Sequence, residues 1–135
     1  MSQYHKYIFC ALTLLCSLGI SAENRPKTVY MYGFAASFND STVYFTDIQQ
    51  VDSAYIDHRT KFLYSRSNYS YQLRNYLANQ GFANATCITS FALSRKEAEK
   101  KYLALRKRYI SAGRNTIKYI KESDFKFTAI KPESE

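Results

Sequence analysis

His58, Cys87 and the lysines and arginines crowded between residues 95 and 121 are the side chains whose chemistry could reach beyond packing. His58 is the only histidine after residue 22, so a histidine metal site cannot form within one processed chain. In "DHRTK" (57–61) it reads as a turn residue. Cys87 sits in the apolar run "ATCITSFAL" (85–93), where a small buried hydrophobe is the default. As a nucleophile it would need His58 beside it to draw off the thiol proton. Asp47, Asp52 and Asp57 recur every five residues, a spacing that shares no face of either a helix or a strand. Gly33 and Gly81 are isolated, so no phosphate-cradling loop is written here. These residues nominate no catalytic group, no metal site and no cofactor.

The cations are different. Ten Lys or Arg stand between residues 95 and 121 against Glu97 and Glu99, a local excess as large as the net +8 of the whole chain. Clustered like charges raise a field that scattered ones do not, and such a field recruits anions. The plainer reading is a solvated helix face, with long Lys and Arg stems covering apolar surface.

A helix must position them. In "SRKEAEKKYLALRKRYISAG" (94–113), Ser94 with Glu97 makes a capping box and Gly113 a left-handed stop. At 100° per residue, Ala98, Tyr102, Leu105, Tyr109 and Ala112 share one arc, which must meet a sheet. Lys96, Lys100 and Lys107 line up opposite that arc, and Lys101 and Arg108 flank them. These five cations are the candidate binding face. Leu103 and Ile110 fall outside the core arc beside Arg106, as further sheet contacts or as the edge of a partner site.

The start of the chain sets the compartment. "MSQYHKYIFCALTLLCSLGISAEN" has a polar start with Lys6, an apolar run from Ile8 to Ile20 and a small residue, Ala22, before a polar stretch. That is the pattern of a secretory signal peptide over residues 1–22. The apolar run is short of the roughly 20 residues that a membrane span needs. The expected location is the periplasm, the envelope or the exterior, leaving residues 23–135 as a single domain with short flexible ends, "ENRPK" and "KPESE". Cys10 and Cys16 leave with the signal, so Cys87 remains alone and stability must come from packing. The remaining chain keeps 18 Lys and Arg, 11 acids, 11 Tyr and 8 Phe, and it has no Trp. Tyrosine buries a broad ring while its hydroxyl reaches water, which suits a thin core.

Periodicity supplies the rest. "TVYMYGFAASF" (28–38) is apolar on both faces and reads as an inner strand. "NDS" turns it back into a second strand, "TVYFTDI" (42–48), making a hairpin. Residues 49–67 have no clean period and read as a packed loop or a continued strand. "NYSYQLRNYLANQG" (68–81) places Tyr69, Leu73, Tyr76 and Leu77 at helical spacing and ends on Gly81. Residues 85–93 give a third strand, and 115–121 and 124–130 alternate like final ones. The order implies an α+β fold: a mixed sheet of four or five strands with an N-terminal hairpin and two helices on one face. A strand joined to the next through the long helix should cross over right-handedly. The aromatic and basic mixture of "YSRSNYSYQLRNY" (64–76) has the composition of a single-strand nucleic-acid platform or of tyrosines packed at a helix start.

Three resemblances attach to these residues. The strand, strand, helix, strand, helix order is similar to GIY-YIG nucleases, and the resemblance would cast Tyr32 and Tyr44 as the strand tyrosines, Arg74 as the first-helix arginine and Glu99 as the later glutamate of a metal-dependent nuclease. The triplets "GIY" and "YIG" are absent. "ITSFALSRKEAEKKYLALRKRY" looks like half of a SPOR peptidoglycan-binding domain, a strand ending in Ser-Phe before an "EAE…L" helix. The whole chain resembles small exported proteins of unassigned function from Gram-negative gut bacteria, and "DST" (40–42) and "DSA" (52–54) look like the O-glycosylation sites of such proteins. The resulting expectation is an exported, non-catalytic binding protein whose basic helix meets an anionic envelope component or a partner protein. Nucleic acid is a poor candidate outside the cytoplasm. The rival expectations are the nuclease and a structural accessory subunit.

Overall fold

The aromatic stretch expected inside the sheet is its central strand. In the computed structural model, which describes residues 24–133, β1 spans Asn24–Ser37 and pairs with three other strands. The expected signal peptide, residues 1–22, lies outside the described residues. A two-residue turn at Phe38 and Asn39 leads into β2 (Asp40–Thr46), with Phe34 opposite Phe45 and Ala36 opposite Val43. After a break at Asp47 and Ile48, β3 (Gln49–Asp57) carries on along β1, with Met31 opposite Gln49 and Asn24 opposite Asp57. The stretch without a clean period therefore begins as a continued strand. Its pattern is broken where the register slips between Lys27 and Val29, beside Ser53 at φ 60°. Against the loose end expected of "ENRPK", the backbone from Asn24 to Lys27 is paired with the end of β3.

Helix α1 (Arg66–Asn79) follows, then β4 (Thr86–Ala92), α2 (Arg95–Ala112) and β5 (Thr116–Ile120). Residues 30 and 31 of β1 pair with both β3 and β4, and residues 34–36 with both β2 and β4. So β4 holds one edge of β1 while β2 and β3 share the other. β5 lies parallel to β2 on its far side, and the remaining pairings are antiparallel. The described residues thus form a small α+β domain, a five-stranded mixed sheet carrying two helices.

The helices lie on opposite faces of that sheet, which corrects the expectation of one face. Along β1, Val29, Met31 and Ala35 join Tyr69, Leu73 and Leu77 of α1 in one core. Phe34, with Val43 and Phe45 of β2, meets Tyr102, Leu105 and Tyr109 of α2 in another. Successive strand residues point to opposite faces, and β1 is apolar at both sets of positions, so each face must be covered.

The α1 face has a further cover. Residues 124–130 form no strand, against expectation, but a strap laid over α1 and the sheet. Two glutamines replace the missing ladder. The buried Gln49 amide donates to the Phe125 carbonyl at 2.8 Å and accepts from the Phe127 N–H at 2.8 Å. The Gln72 amide does the same with both backbone groups of Thr128, at 2.9 Å each. Tyr69 Oη accepts from the Ile130 N–H at 2.9 Å. The strap alternates in sequence because Phe125 and Phe127 reach the core while Lys126 stays in water. Its backbone is satisfied by side chains, so no neighbouring strand is needed.

Gly33 permits the close seating of α1. A Cβ at this position would lie 2.6 Å from Leu73 Cδ2, 3.2 Å from the Phe127 ring and 3.4 Å from Thr46 Cγ2. The Gly33 N–H donates to Thr46 Oγ1 at 2.8 Å, bridging the break between β2 and β3.

Candidate functional site: the outward face of α2

The rotation of α2 about its axis is set by aromatic contacts. Tyr102 meets Tyr32 edge-on at 5.2 Å between ring centroids and Phe45 at 5.6 Å, while Tyr109 lies 4.8 Å from Phe34. Ala98 is fully buried where the helix starts. Ser94 Oγ accepts the Glu97 N–H at 3.2 Å, and Gly113 at φ 65° ends the helix. Burial raises the Tyr102 phenol, with a contribution from neighbouring Tyr119, so the ring stays neutral under its helix. Of the expected core arc only Ala112 is exposed, because the helix runs off the sheet there.

With that face sealed, Lys96, Lys100, Lys107 and Arg108 are exposed. Lys96, Lys100 and Lys107 fall within about 40° of helix circumference, opposite the buried arc. None of the three makes a hydrogen bond or ion pair with another described residue. Leu103 and Ile110 do not reach the sheet: they are 56% and 49% exposed, on the flank of the lysine row.

Four of the remaining six cations of the basic segment are engaged, while Arg114 and Lys121, beyond the end of α2, are exposed. Lys101 reaches back to the β4 edge, its Nζ donating to the Phe91 carbonyl at 3.0 Å and lying 5.9 Å from that ring's centroid. Arg106 Nε donates to Tyr119 Oη at 2.6 Å, a bond that holds its guanidinium above the usual arginine range. Arg95 sits over the Tyr30 ring at 5.1 Å. Lys118 neighbours Tyr119 on β5 and faces the other way, toward Asp40. The excess of +8 therefore divides, part of it holding the aromatic rim of the sheet and part standing unneutralised on α2. Of the five nominated cations, Lys101 belongs to the first group.

The other sequence candidates are dispersed. Cys87 pairs with Ala35 at one end of β1, and His58 follows the residue opposite Asn24 at the other end. Eleven strand residues separate those positions, roughly 35 Å. Burial pushes the Cys87 thiol up to about 11, only partly offset by Arg74. Tyr32 stands on the α2 face, edge-on to Tyr102, and Tyr44 on the α1 face, 4.8 Å from Phe82. Arg74 is on α1 and Glu99 on α2, so the four residues singled out by the nuclease resemblance share no surface. In "YSRSNYSYQLRNY", Tyr69 is buried and Tyr76 half-buried, leaving Tyr71, with Arg74 5.9 Å away, as the exposed ring of α1. Among the described residues, no three His, Cys, Asp or Glu converge as a metal site would require.

One feature was not foreseen from the sequence: a cleft of about 460 Å³ between α1 and the start of β4, lined by Ser67, Ser70, Tyr71, Arg74, Thr86 and Cys87 among others. Its only sequence trace is the polar side of 67–74, which looks like an ordinary helix exterior. Comparison of the chain with family models, curated proteins and solved structures finds no match. No helix among the described residues is long and apolar enough to cross a membrane.

Proposed function

We propose that this is an exported, non-catalytic binding protein that docks on an anionic envelope component through the outward face of α2. The observation that carries the reading is the row of Lys96, Lys100 and Lys107, exposed and unneutralised, on a helix whose rotation is locked from behind by Tyr102 and Tyr109. Unpaired ammonium groups on a rigid face are preorganised: no internal ion pair has to break before an anion binds. Leu103 and Ile110 on the flank give the same face an apolar margin, which suits a phosphate carried on a lipid better than a free polyanion.

Co-sedimentation with vesicles tests this. The protein partitions onto phosphatidylglycerol-containing vesicles at low salt and much less onto neutral phosphatidylcholine. Raising ionic strength from 0.01 to 1 M shortens the screening length from about 30 to about 3 Å and releases most of the bound protein. Equal partitioning onto both vesicle types at every salt concentration would defeat the proposal.

A further inference from the structure

β4 is an edge strand, and its outward backbone is closed along only part of its length. The Gly33 N–H points away from β4, toward Thr46, so the odd-numbered residues of β1 turn their peptide groups to β2 and β3. The even pairs, Tyr32 with Ser90 and Phe34 with Ile88, are then those that bond β1 to β4. Cys87, Thr89 and Phe91 therefore face outward. Arg66 Nε closes the Thr89 carbonyl at 2.8 Å and Lys101 Nζ the Phe91 carbonyl at 3.0 Å, a charged capping of the kind that protects sheet edges. No described residue closes the peptide groups of Cys87.

This open peptide lies between two hollows. On the α1 face is the polar cleft of about 460 Å³, whose one formal charge is Arg74. On the α2 face is an apolar hollow of about 160 Å³ formed by Phe34, Ala36, Phe38 and Ile88 with their neighbours. Phe38 is 99% exposed and Ile88 54% exposed there. A strand laid along an edge makes main-chain bonds and sends alternate side chains to opposite faces. Both hollows are placed to receive them.

We propose that the β4 edge at Cys87 binds an extended peptide, apolar at alternate positions, with a carboxylate that pairs with Arg74. Charge selects this occupant over a second copy of the chain. Arg66, Arg74 and Lys101 all stand along this edge, and two copies meeting edge to edge would bring like charges together, whereas an acidic segment neutralises them. The ionised partner sits on the peptide, because the Cys87 thiol stays protonated at neutral pH.

The test is an amide-resolved NMR titration of the whole exported chain with acetyl-Val-Glu-Val-Thr-Val-amide, its Glu→Gln counterpart and inorganic phosphate. The acidic peptide shifts the Cys87 amide downfield and moves Arg74 Nε–Hε, and its Gln counterpart binds about tenfold more weakly. Arg74→Gln loses the same tenfold, with no further loss when both changes are combined. Cys87→Pro removes the outward donor without touching a bond to β1, and binding disappears. Should that variant misfold, N-methylation of the peptide's central valine removes a strand bond while leaving the protein intact, and it must weaken binding. The proposal is overturned if the two peptides bind equally, or if the Cys87 amide stays unmoved while phosphate alone reproduces the Arg74 response.

Discussion

Gly33→Ala isolates the contact that seats α1 on the sheet. Gly33 is not in the left-handed backbone region, so alanine brings no backbone strain and the cost is steric. The new methyl would start 2.6 Å from Leu73 Cδ2, closer than any carbon pair tolerates, with the Phe127 ring at 3.2 Å behind it. Leu73 is fully buried and Phe127 nearly so, leaving neither an open direction in which to retreat. Overpacking of this kind costs about 1–3 kcal/mol, and the stiffer unfolded chain returns about 0.4–1 kcal/mol. The net loss of about 1–2 kcal/mol lowers Tm by roughly 4–10 °C for a domain of this size. Leu73→Ala alone leaves a cavity and costs about 2–5 kcal/mol. In the double variant the methyl introduced by Gly33→Ala occupies part of that space, so the combined loss falls short of the sum by about 1 kcal/mol or more. Urea unfolding of the four proteins in the cycle provides the numbers. A Gly33→Ala protein as stable as the parent, or a strictly additive double variant, would refute the seating argument.

Other consequences can be measured alongside. Gln49→Ala strips the strap of two bonds and leaves Phe127 N–H buried without a partner; a loss of about 2–4 kcal/mol is expected, with hydrogen-exchange protection falling first at residues 125–130. Ser94→Ala removes the cap of α2 at a cost of about 1 kcal/mol, read as a lower urea midpoint with unchanged m-value. Burial raises Cys87, Tyr69 and Tyr102, so the unfolded chain loses these protons first. The stability they contribute is whole below about pH 9 and drains away as pH climbs through the folded-state values, up to about 11 for the thiol, so Tm should fall across pH 9–11. The same shift keeps the thiolate scarce: at pH 8 Cys87 should react with a disulfide reagent roughly a hundredfold more slowly in the folded protein than in urea.

Much of the architecture was legible because it follows from side-chain period. Tyr102, Leu105 and Tyr109 lie where helical spacing placed them, and the Ser94 and Gly113 signals bound α2 within a residue. The placement of both helices on one face was wrong for a reason present in "TVYMYGFAAS". A strand apolar at odd and even positions alike needs cover on both sides, and that information outweighed the order of elements. The strap was misread as a strand because alternation reports which side chains are buried, and says nothing of what bonds the backbone. The edge cleft was invisible: nothing in local sequence tells that Arg66 and Lys101, 35 positions apart, would close two carbonyls of β4 and leave the peptide of Cys87 open. Likewise, a count of cations could not separate those holding aromatic rings, such as Arg95 and Arg106, from those standing free.

That separation is where the functional proposal is most exposed. Two variants with equal charge loss decide it: Lys96, Lys100 and Lys107 changed to Gln on α2, against Lys27, Lys61 and Lys126 changed to Gln elsewhere on the surface. At about 1 kcal/mol per lysine near an anionic surface, the α2 variant should lose roughly a hundredfold in partitioning onto phosphatidylglycerol vesicles, and the control much less. Equal losses in the two variants would mean that net charge alone attracts the protein and that the outward face of α2 has no special role.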